Sequence, residues 1–298
     1  MHPSTLRVMF AASRQLRASV VGSVAMAILL AMHGCASAVS GTSEARAAGA
    51  STERSTPRSL FLADLTSDEL RAAVAAGFTT ALVYSGSTEG SGLALALGKH
   101  NVRAPHYAER IARELGQTLV GQIVPFGVNG EPLASYPGTI AVRPETFAAL
   151  HEDIARSLAR AGFRRIVLLT EHGPNVPVLQ ALAPRLDAAL APVGASVVLS
   201  TDNYTKSTAE IEAWGRARGV LAGRHGGLWD VSELWFVDAS RVRPGRLALG
   251  DTSATPRDSA QQVTGDARQA SAALGRFFAD IRVRNAVAEI RRLLGAFP

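Results

Sequence analysis

The chain has 298 residues, of which 47% are hydrophobic and 19% are charged, which is typical of a globular protein with one large domain or two small ones. Its formal net charge of +6 falls to +3 when the N-terminal arginines Arg7, Arg14 and Arg17 are left out. A balance this small, with no basic run that carries interleaved aromatic residues, argues against nucleic acid as a partner.

The first 35 residues have the pattern of an export signal. A basic segment over 7–17 precedes the apolar run SVVGSVAMAILLAM (19–32), which is short for a membrane span. Cys35, the only cysteine, follows in a sequence similar to a bacterial lipoprotein box, whereas ASA (36–38) offers an ordinary cleavage site. We expect an exported, periplasmic protein and favour acylation of Cys35, which would be its attachment to the membrane.

Residues 36–57 are small and polar, have no apolar periodicity and end at Pro57. This composition predicts a flexible tether. We therefore expect one ordered domain over 58–298, and its core must hold by packing alone because no cysteine is left for a disulfide.

Strand-like and helix-like segments alternate from residue 60 onward. The pattern predicts five strands, over 60–65, 79–85, 118–127, 163–170 and 195–200. Between and after them it predicts helices over 68–77, 105–116, 145–162 and 176–194, and one or two helices over 265–297. A capping box of Thr66 or Ser67 with Glu69 opens the first helix. Such alternation predicts right-handed crossovers, hence an α/β fold with three αβα layers and a mainly parallel central sheet. Ligands of such folds bind beyond the carboxyl ends of the strands.

Three polar clusters follow predicted strands or lie in nearby loops. They are GSTEGSGLALALGKHN (86–101), with Glu89 and His100; TEHGPN (170–175), with His172; and GRHGGLWDVSELWFVD (223–238), with His225 and Asp230. The first cluster lacks the G-x-x-x-x-G-K-[ST] of a phosphate loop and the G-x-S-x-G of a serine hydrolase. Imidazoles and carboxylates from several strand ends fit a divalent metal ion such as Zn, Mn or Fe, although hydrogen-bonded loop histidines are an open alternative.

Taken together, these segments resemble the creatininase (creatinine amidohydrolase) family of metal-dependent hydrolases. The first cluster is similar to the family's GSTEQHGPHLPLGTD, the second stands where the family has NGHGGN, and the third where it has HAGxxETS. Their order and spacing agree from residue 60 to the last helix. The resemblance implies hydrolysis of an amide or cyclic amide C–N bond in a small molecule, and assembly as a homo-oligomer, commonly a hexamer.

The resemblance also implies which residues bind metal. The family holds two ions, and its ligands for one of them correspond to Glu89 and His172, whereas the carboxylate that bridges both ions corresponds to His100. The two positions that serve the other ion alone are occupied here by Ser91 and Pro174, which removes its dedicated ligands. Because an imidazole normally binds one ion through one nitrogen, we expect a mononuclear site built from Glu89, His100 and His172.

The remaining roles follow from the third motif and from the segment SYPGTI (135–140). Asp230 is expected to be a fourth metal ligand or the nearby base, and His225 to orient the scissile carbonyl or to protonate the leaving nitrogen. Thr139 and Trp229 are the candidate contacts to substrate.

A second interpretation is a catalytically degenerate, exported member that binds a small ligand or a partner. Ser91, Pro174 and the unusual His100 all agree with it. On this interpretation Glu89 caps the following helix or pairs with Lys99 instead of binding metal.

Overall fold

The computed structural model describes residues 56–250 and 262–295. The predicted signal with Cys35, and the predicted tether up to residue 55, lie outside the described residues, so export and acylation stay predictions. Among the helices of the described residues, none is both long and apolar enough to cross a bilayer.

Four parallel strands form the central sheet, in the order β2-β1-β3-β4. They are β1 (Thr80–Ser85), β2 (Thr118–Val124), β3 (Arg165–Thr170) and β4 (Ser196–Leu199). Ser85, at the end of β1, lies opposite Val124 on one side and Thr170 on the other. The loops that follow these three strands therefore leave the sheet at the same edge.

Helices cover both faces of this sheet. They are α1 (Ser67–Ala75), α2 (Lys99–Leu115), α3 (Pro144–Arg160), α4 (Val176–Leu190), α5 (Thr205–Arg216), α6 (Leu228–Val237) and α7 (Ala272–Leu294). Alternate residues of β1 face opposite cores: Ala81 and Val83 pack with α1, α3 and α4, whereas Leu82 and Tyr84 pack with α2 and α7. This period of two on a doubly covered strand is the reason why the whole of β1 is buried, and it confirms the predicted three-layer αβα fold.

Two predicted elements differ in the structure. The segment 60–65 is a 3-10 turn at Leu62–Asp64 with a single bridge from Phe61 to Val120, because the capping box of Thr66 and Glu69 starts α1 immediately afterwards. The helix predicted from Pro105 begins six residues earlier, at Lys99, and Pro105 lies inside it. A proline there removes one backbone donor, and the remaining turns of α2 are held by packing on the sheet.

Helices α5 and α6 were not predicted. Every residue of α6 from Leu228 to Leu234 is buried, because the helix lies against α2 and α7. A helix buried on all sides lacks the amphipathic period that identifies a surface helix in a sequence. The C-terminal segment forms one helix, α7.

Candidate metal centre

Three elements deliver the side chains of the candidate metal centre. Glu89 lies in the loop after β1, and its backbone N–H donates to the Leu97 carbonyl (3.0 Å), which closes the loop. His172 follows β3, where its N–H donates to Thr170 Oγ1 (3.0 Å). His100 is the second residue of α2. Two strand ends and one helix start therefore meet at the carboxyl edge of the sheet.

The structure brings the predicted Glu89, His100 and His172 together. Their ligand atoms all lie within 4.8 Å of one another, and all three residues are buried. His172 Nδ1 is 3.2 Å from Glu89 Oε2, and His100 Nε2 is 2.9 Å from Glu89 Oε1. Among the described residues these three form a group that can hold a metal ion.

The chemistry of Glu89 and His172 fits a metal ion. His172 Nε2 donates to the Val128 carbonyl (3.0 Å), which leaves a lone pair on Nδ1, directed at Glu89. Glu89 Oε2 is buried and accepts no hydrogen bond from the residues that the structure describes. Two acceptors that face each other at 3.2 Å call for a cation between them. A metal-bound histidine characteristically donates its other N–H to a carbonyl in this way.

The two ring nitrogens of His100 have different neighbours from those of His172. Arg103 Nη2, a donor, lies 3.1 Å from Nδ1, whereas Nε2 lies 2.9 Å from both Glu89 Oε1, an acceptor, and Lys99 Nζ, a donor. Burial, reinforced by the charge of Lys99, holds the pKa of His100 well below 6.5 and keeps the ring neutral. A metal ion bound at Nε2 would require the tautomer that carries the ring proton on Nδ1.

Lys99 lies within the site, although it was not among the predicted site residues. Its Nζ donates to Glu89 Oε1 (2.8 Å) and to Asp230 Oδ2 (3.0 Å), and it lies 2.9 Å from His100 Nε2. The pairing of Lys99 with Glu89, left open above, is therefore present. One signal in the sequence is composition, since Lys99 and Lys206 are the only two lysines among 31 basic residues.

Asp230 lies beside the group of three and is held by donors on all sides. Oδ2 accepts from Lys99 and from the Gly226 N–H (2.8 Å), and Oδ1 accepts from Arg103 Nη1 (2.8 Å). Burial alone would raise its pKa, but Lys99 and Arg103 hold the pKa of Asp230 well below its usual value. In this arrangement Asp230 is an ion-pair partner of Lys99 and Arg103, and its role as a metal ligand or base stays a prediction.

The predicted catalytic His225 faces the centre. Its Nε2 donates to the Gly90 carbonyl (2.9 Å), so the lone pair is on Nδ1, which is 3.6 Å from Glu89 Oε1. Burial, followed by the charge of Lys99, lowers the pKa of His225. The neutral ring can therefore accept a proton at Nδ1.

The two predicted substrate contacts have different positions. Trp229 lines the cavity above the metal centre, with the Arg282 guanidinium 4.5 Å from its ring centroid. Thr139 Oγ1 instead accepts the Gly90 N–H (2.9 Å), so it fixes the loop that carries Glu89.

The centre opens into a cavity of about 220 Å³. Beyond the residues already described, the cavity is lined by Leu133, Gly173, Pro174, Tyr204 and Arg224. The contribution of Tyr204 was not predicted, and it depends on Gly173, since a Cβ there would lie 2.7 Å from the Tyr204 hydroxyl oxygen. A cavity this small admits a small molecule and excludes a folded polypeptide.

Buried ion pairs support the centre from below. Arg103 donates to Glu233 as well as to Asp230 and lies 3.3 Å from Glu171, while Arg282 donates to Glu233 and lies 3.9 Å from Glu171. These contacts join α2, α6, α7 and the end of β3. They fix the helix start that presents Lys99 and His100.

A parallel αβα sheet with imidazole and carboxylate ligands beyond its carboxyl edge is the architecture of a metal-dependent α/β enzyme. The family model described as Creatininase: Creatinine amidohydrolase matches residues 63–290. The chain belongs to the creatininase family, which places it among the hydrolases that act on C–N amide bonds.

Individual relatives agree with this assignment. The creatinine amidohydrolase of Pseudomonas putida is 28% identical over 203 residues, which cover 62% of this chain and 76% of that protein. The solved structure named "Creatininase Mn" is 24% identical, covers 80% of this chain and 100% of its own, and superposes with a TM-score of 0.69. A variant creatininase described as the Zn-Zn type is 23% identical, with the same TM-score of 0.69 and coverage of 80% and 99%. These two likenesses show the shared fold.

Proposed function

We propose that this protein is an exported amidohydrolase that cleaves the C–N bond of a small amide or cyclic amide with one divalent metal ion, Zn, Mn or Fe, held by Glu89, His100 and His172. The observation that carries the proposal is the pair of facing acceptors, Glu89 Oε2 and His172 Nδ1, 3.2 Å apart in a buried site. The relatives described as Mn and Zn-Zn forms support the choice of metal.

The proposal of a single ion is supported by the residues that are missing. Ser91 and Pro174 stand where the family resemblance places ligands of a second ion, and neither side chain carries an imidazole or a carboxylate. Ser91 Oγ instead donates weakly to Glu89 Oε1 (3.4 Å). One ion is therefore the stoichiometry that these residues support.

A divalent ion bound at this centre supplies Lewis acidity toward a carbonyl oxygen and acidifies water. The chain's own residues do the rest. Trp229 and Tyr204 wall the small cavity and limit the size of the substrate. His225 Nδ1, neutral and directed at the centre, accepts a proton and can pass it to the leaving nitrogen.

The second candidate function is binding of a small ligand without turnover. It is favoured by the ammonium of Lys99, which already neutralises part of the charge of Glu89 and Asp230. The two functions share the cavity and differ in whether a C–N bond is broken.

The test uses the full chain loaded with Mn²⁺ or Zn²⁺ and a panel of small amides and lactams that includes creatinine. We expect one bound ion by mass spectrometry, its loss in His172→Ala, and hydrolysis of at least one substrate. His106→Ala is the matched control, because His106 is a partly buried imidazole outside the metal group, and this variant should retain the ion.

Two results separate the alternatives. A bound ion without hydrolysis of any member of the panel, together with binding of one of them, would favour the non-catalytic function. A chain that binds no divalent ion would contradict the proposed metal centre.

A further inference from the structure

We infer that the ammonium of Lys99 is a covalently attached cation that permanently takes the place of a second metal ion. The inference deepens the proposed function and rests on it for the ion at Glu89 and His172. It concerns the other half of the site, where Glu89 Oε1 and Asp230 Oδ2 converge on Lys99 Nζ at 2.8 and 3.0 Å.

The two oxygens of Glu89 divide the site into two halves. Oε1 accepts a hydrogen bond from Lys99 (2.8 Å) and lies 2.9 Å from His100 Nε2, which stands between the two halves, whereas Oε2 faces the lone pair of His172 and accepts no hydrogen bond from the described residues. A carboxylate commonly offers one oxygen to each of two cations. Here one cation is supplied by the chain, and the other half keeps its acceptors for an ion from solution.

The position of Lys99 in α2 is unfavourable for the helix itself. Lys99 is the first residue of α2, and no acidic residue lies in the first turn to offset its charge. A cation at a helix N-terminus opposes the helix dipole, at a cost of roughly 0.3–1 kcal/mol. Its partners Glu89 and Asp230 come from elsewhere in the chain, so its charge serves the site and not the helix.

The choice of lysine over arginine has the same explanation. The chain carries 29 arginines and only two lysines, yet a lysine stands at the centre of the site. An ammonium is a compact point charge with three donors, whereas a guanidinium is a flat, extended fork. Only the ammonium resembles a metal ion in size and in the way it gathers oxygens around one point.

The net charge of the buried side chains is compatible with one added divalent ion. Seven charged side chains lie buried together at the site and beneath it, and they are Glu89, Glu171, Asp230 and Glu233 with Lys99, Arg103 and Arg282. With neutral histidines and with all four carboxylates ionised, including Glu233 between Arg103 and Arg282, the seven groups have a net charge of −1. One divalent ion changes this to +1, whereas two would bury a net charge of +3 beside Lys99, which desolvation strongly disfavours.

The experiment counts metal ions in the full chain and in two lysine variants. Each protein is stripped with a chelator, reloaded with Mn²⁺ and freed of excess metal. The ions per chain are then measured by mass spectrometry, with circular dichroism as the check of folding. We expect about one ion in the wild type and in Lys206→Ala, which removes an exposed lysine. We expect about two in Lys99→Ala, where Glu89 Oε1 and Asp230 Oδ2 are released and His225 Nδ1, 3.6 Å from Glu89 Oε1, offers a ligand in place of those missing at positions 91 and 174.

The outcomes distinguish this inference from the proposed function. Two ions in the wild type, or an unchanged number in folded Lys99→Ala, would overturn the inference. No ion in the wild type but one in Lys99→Ala would contradict the mononuclear centre while supporting Lys99 as the substitute cation. No ion in either protein would overturn both.

A second measurement decides the matter if Lys99→Ala does not fold. The wild-type chain is treated with acetic anhydride, with and without saturating Mn²⁺, and the two lysines are followed by peptide mass spectrometry. We expect Lys206 to be acetylated and Lys99 to stay protected in both conditions. Acetylation of Lys99 that appears as Mn²⁺ is added would mean that the metal displaces the ammonium, and it would overturn the inference.

Discussion

Thr139, a predicted substrate contact, has a hydrogen bond within the chain that its sequence did not reveal. Its segment suggests a role in the cavity, but Oγ1 accepts the backbone N–H of Gly90, next to Glu89 (2.9 Å). Thr139 itself is tied by its N–H to the Tyr136 carbonyl (3.0 Å). The side chain therefore fixes the loop that carries Glu89, a candidate metal ligand.

Two substitutions of Thr139 should separate the effect of its hydroxyl group from the effect of its side-chain volume. We expect Thr139→Val, which keeps the volume and loses the acceptor, to lower stability by about 1 kcal/mol and to weaken Mn²⁺ binding, because the Gly90 N–H is left unpaired. Thr139→Ser keeps the acceptor and should bind Mn²⁺ as the wild type does. Urea unfolding and metal titration measure the two effects, and equal metal affinity in both variants would contradict the positioning role.

At the scale of elements, the contact between α6 and α7 determines where Asp230 stands. Gly275 of α7 lies so close to α6 that a Cβ would fall 1.8 Å from the Ser232 carbonyl oxygen. Ser232 is two residues from Asp230 on the same helix. Because Gly275 has no side chain, α6 can pack this close to α7.

We expect Gly275→Ala to destabilise the protein by more than about 2 kcal/mol, since the clash is with the backbone and two packed helices must separate. Gly245→Ala is the matched control, because nothing lies within 4 Å of a Cβ built there. Thermal and urea unfolding of the two variants test this. A similar stability of both would show that α6 and α7 adjust without cost.

The same elements explain what the sequence could and could not predict. The cores of β1 and β3 and the capping box of α1 are local patterns, and each was predicted. Helix α6 is buried on all sides, so its period is hidden, and the start of α2 was obscured by Pro105. The polar clusters after the strands, together with the family resemblance, identified Glu89, His100 and His172. The contact of Lys99 with Asp230 instead joins residues 131 positions apart that no local pattern relates.

On the scale of the whole molecule, the described residues bury their polar groups to an unusual extent at one edge of the sheet. Glu89, His100, His172 and Asp230 are each no more than 3% exposed, and the arginine-carboxylate pairs lie directly beneath them. Buried ion pairs seldom add stability over an apolar core, but removal of one partner is costly. The arrangement therefore favours a fixed geometry at the centre over maximal stability.

This burial predicts how stability depends on pH. In all five histidines of the described residues, His100, His106, His151, His172 and His225, burial lowers the pKa below 6.5. Below pH 6.5 the unfolded chain therefore binds protons that the folded chain does not bind. The contribution of the neutral histidines to the free energy of unfolding is complete above pH 6.5 and is lost as the pH falls toward the pKa values of the folded state. Each histidine can remove up to about 1.4 kcal/mol per pH unit. We expect the urea midpoint, measured with chelator present, to fall clearly between pH 7.5 and 5.5. A midpoint that stays constant over this range would mean that the histidines are protonated equally in both states.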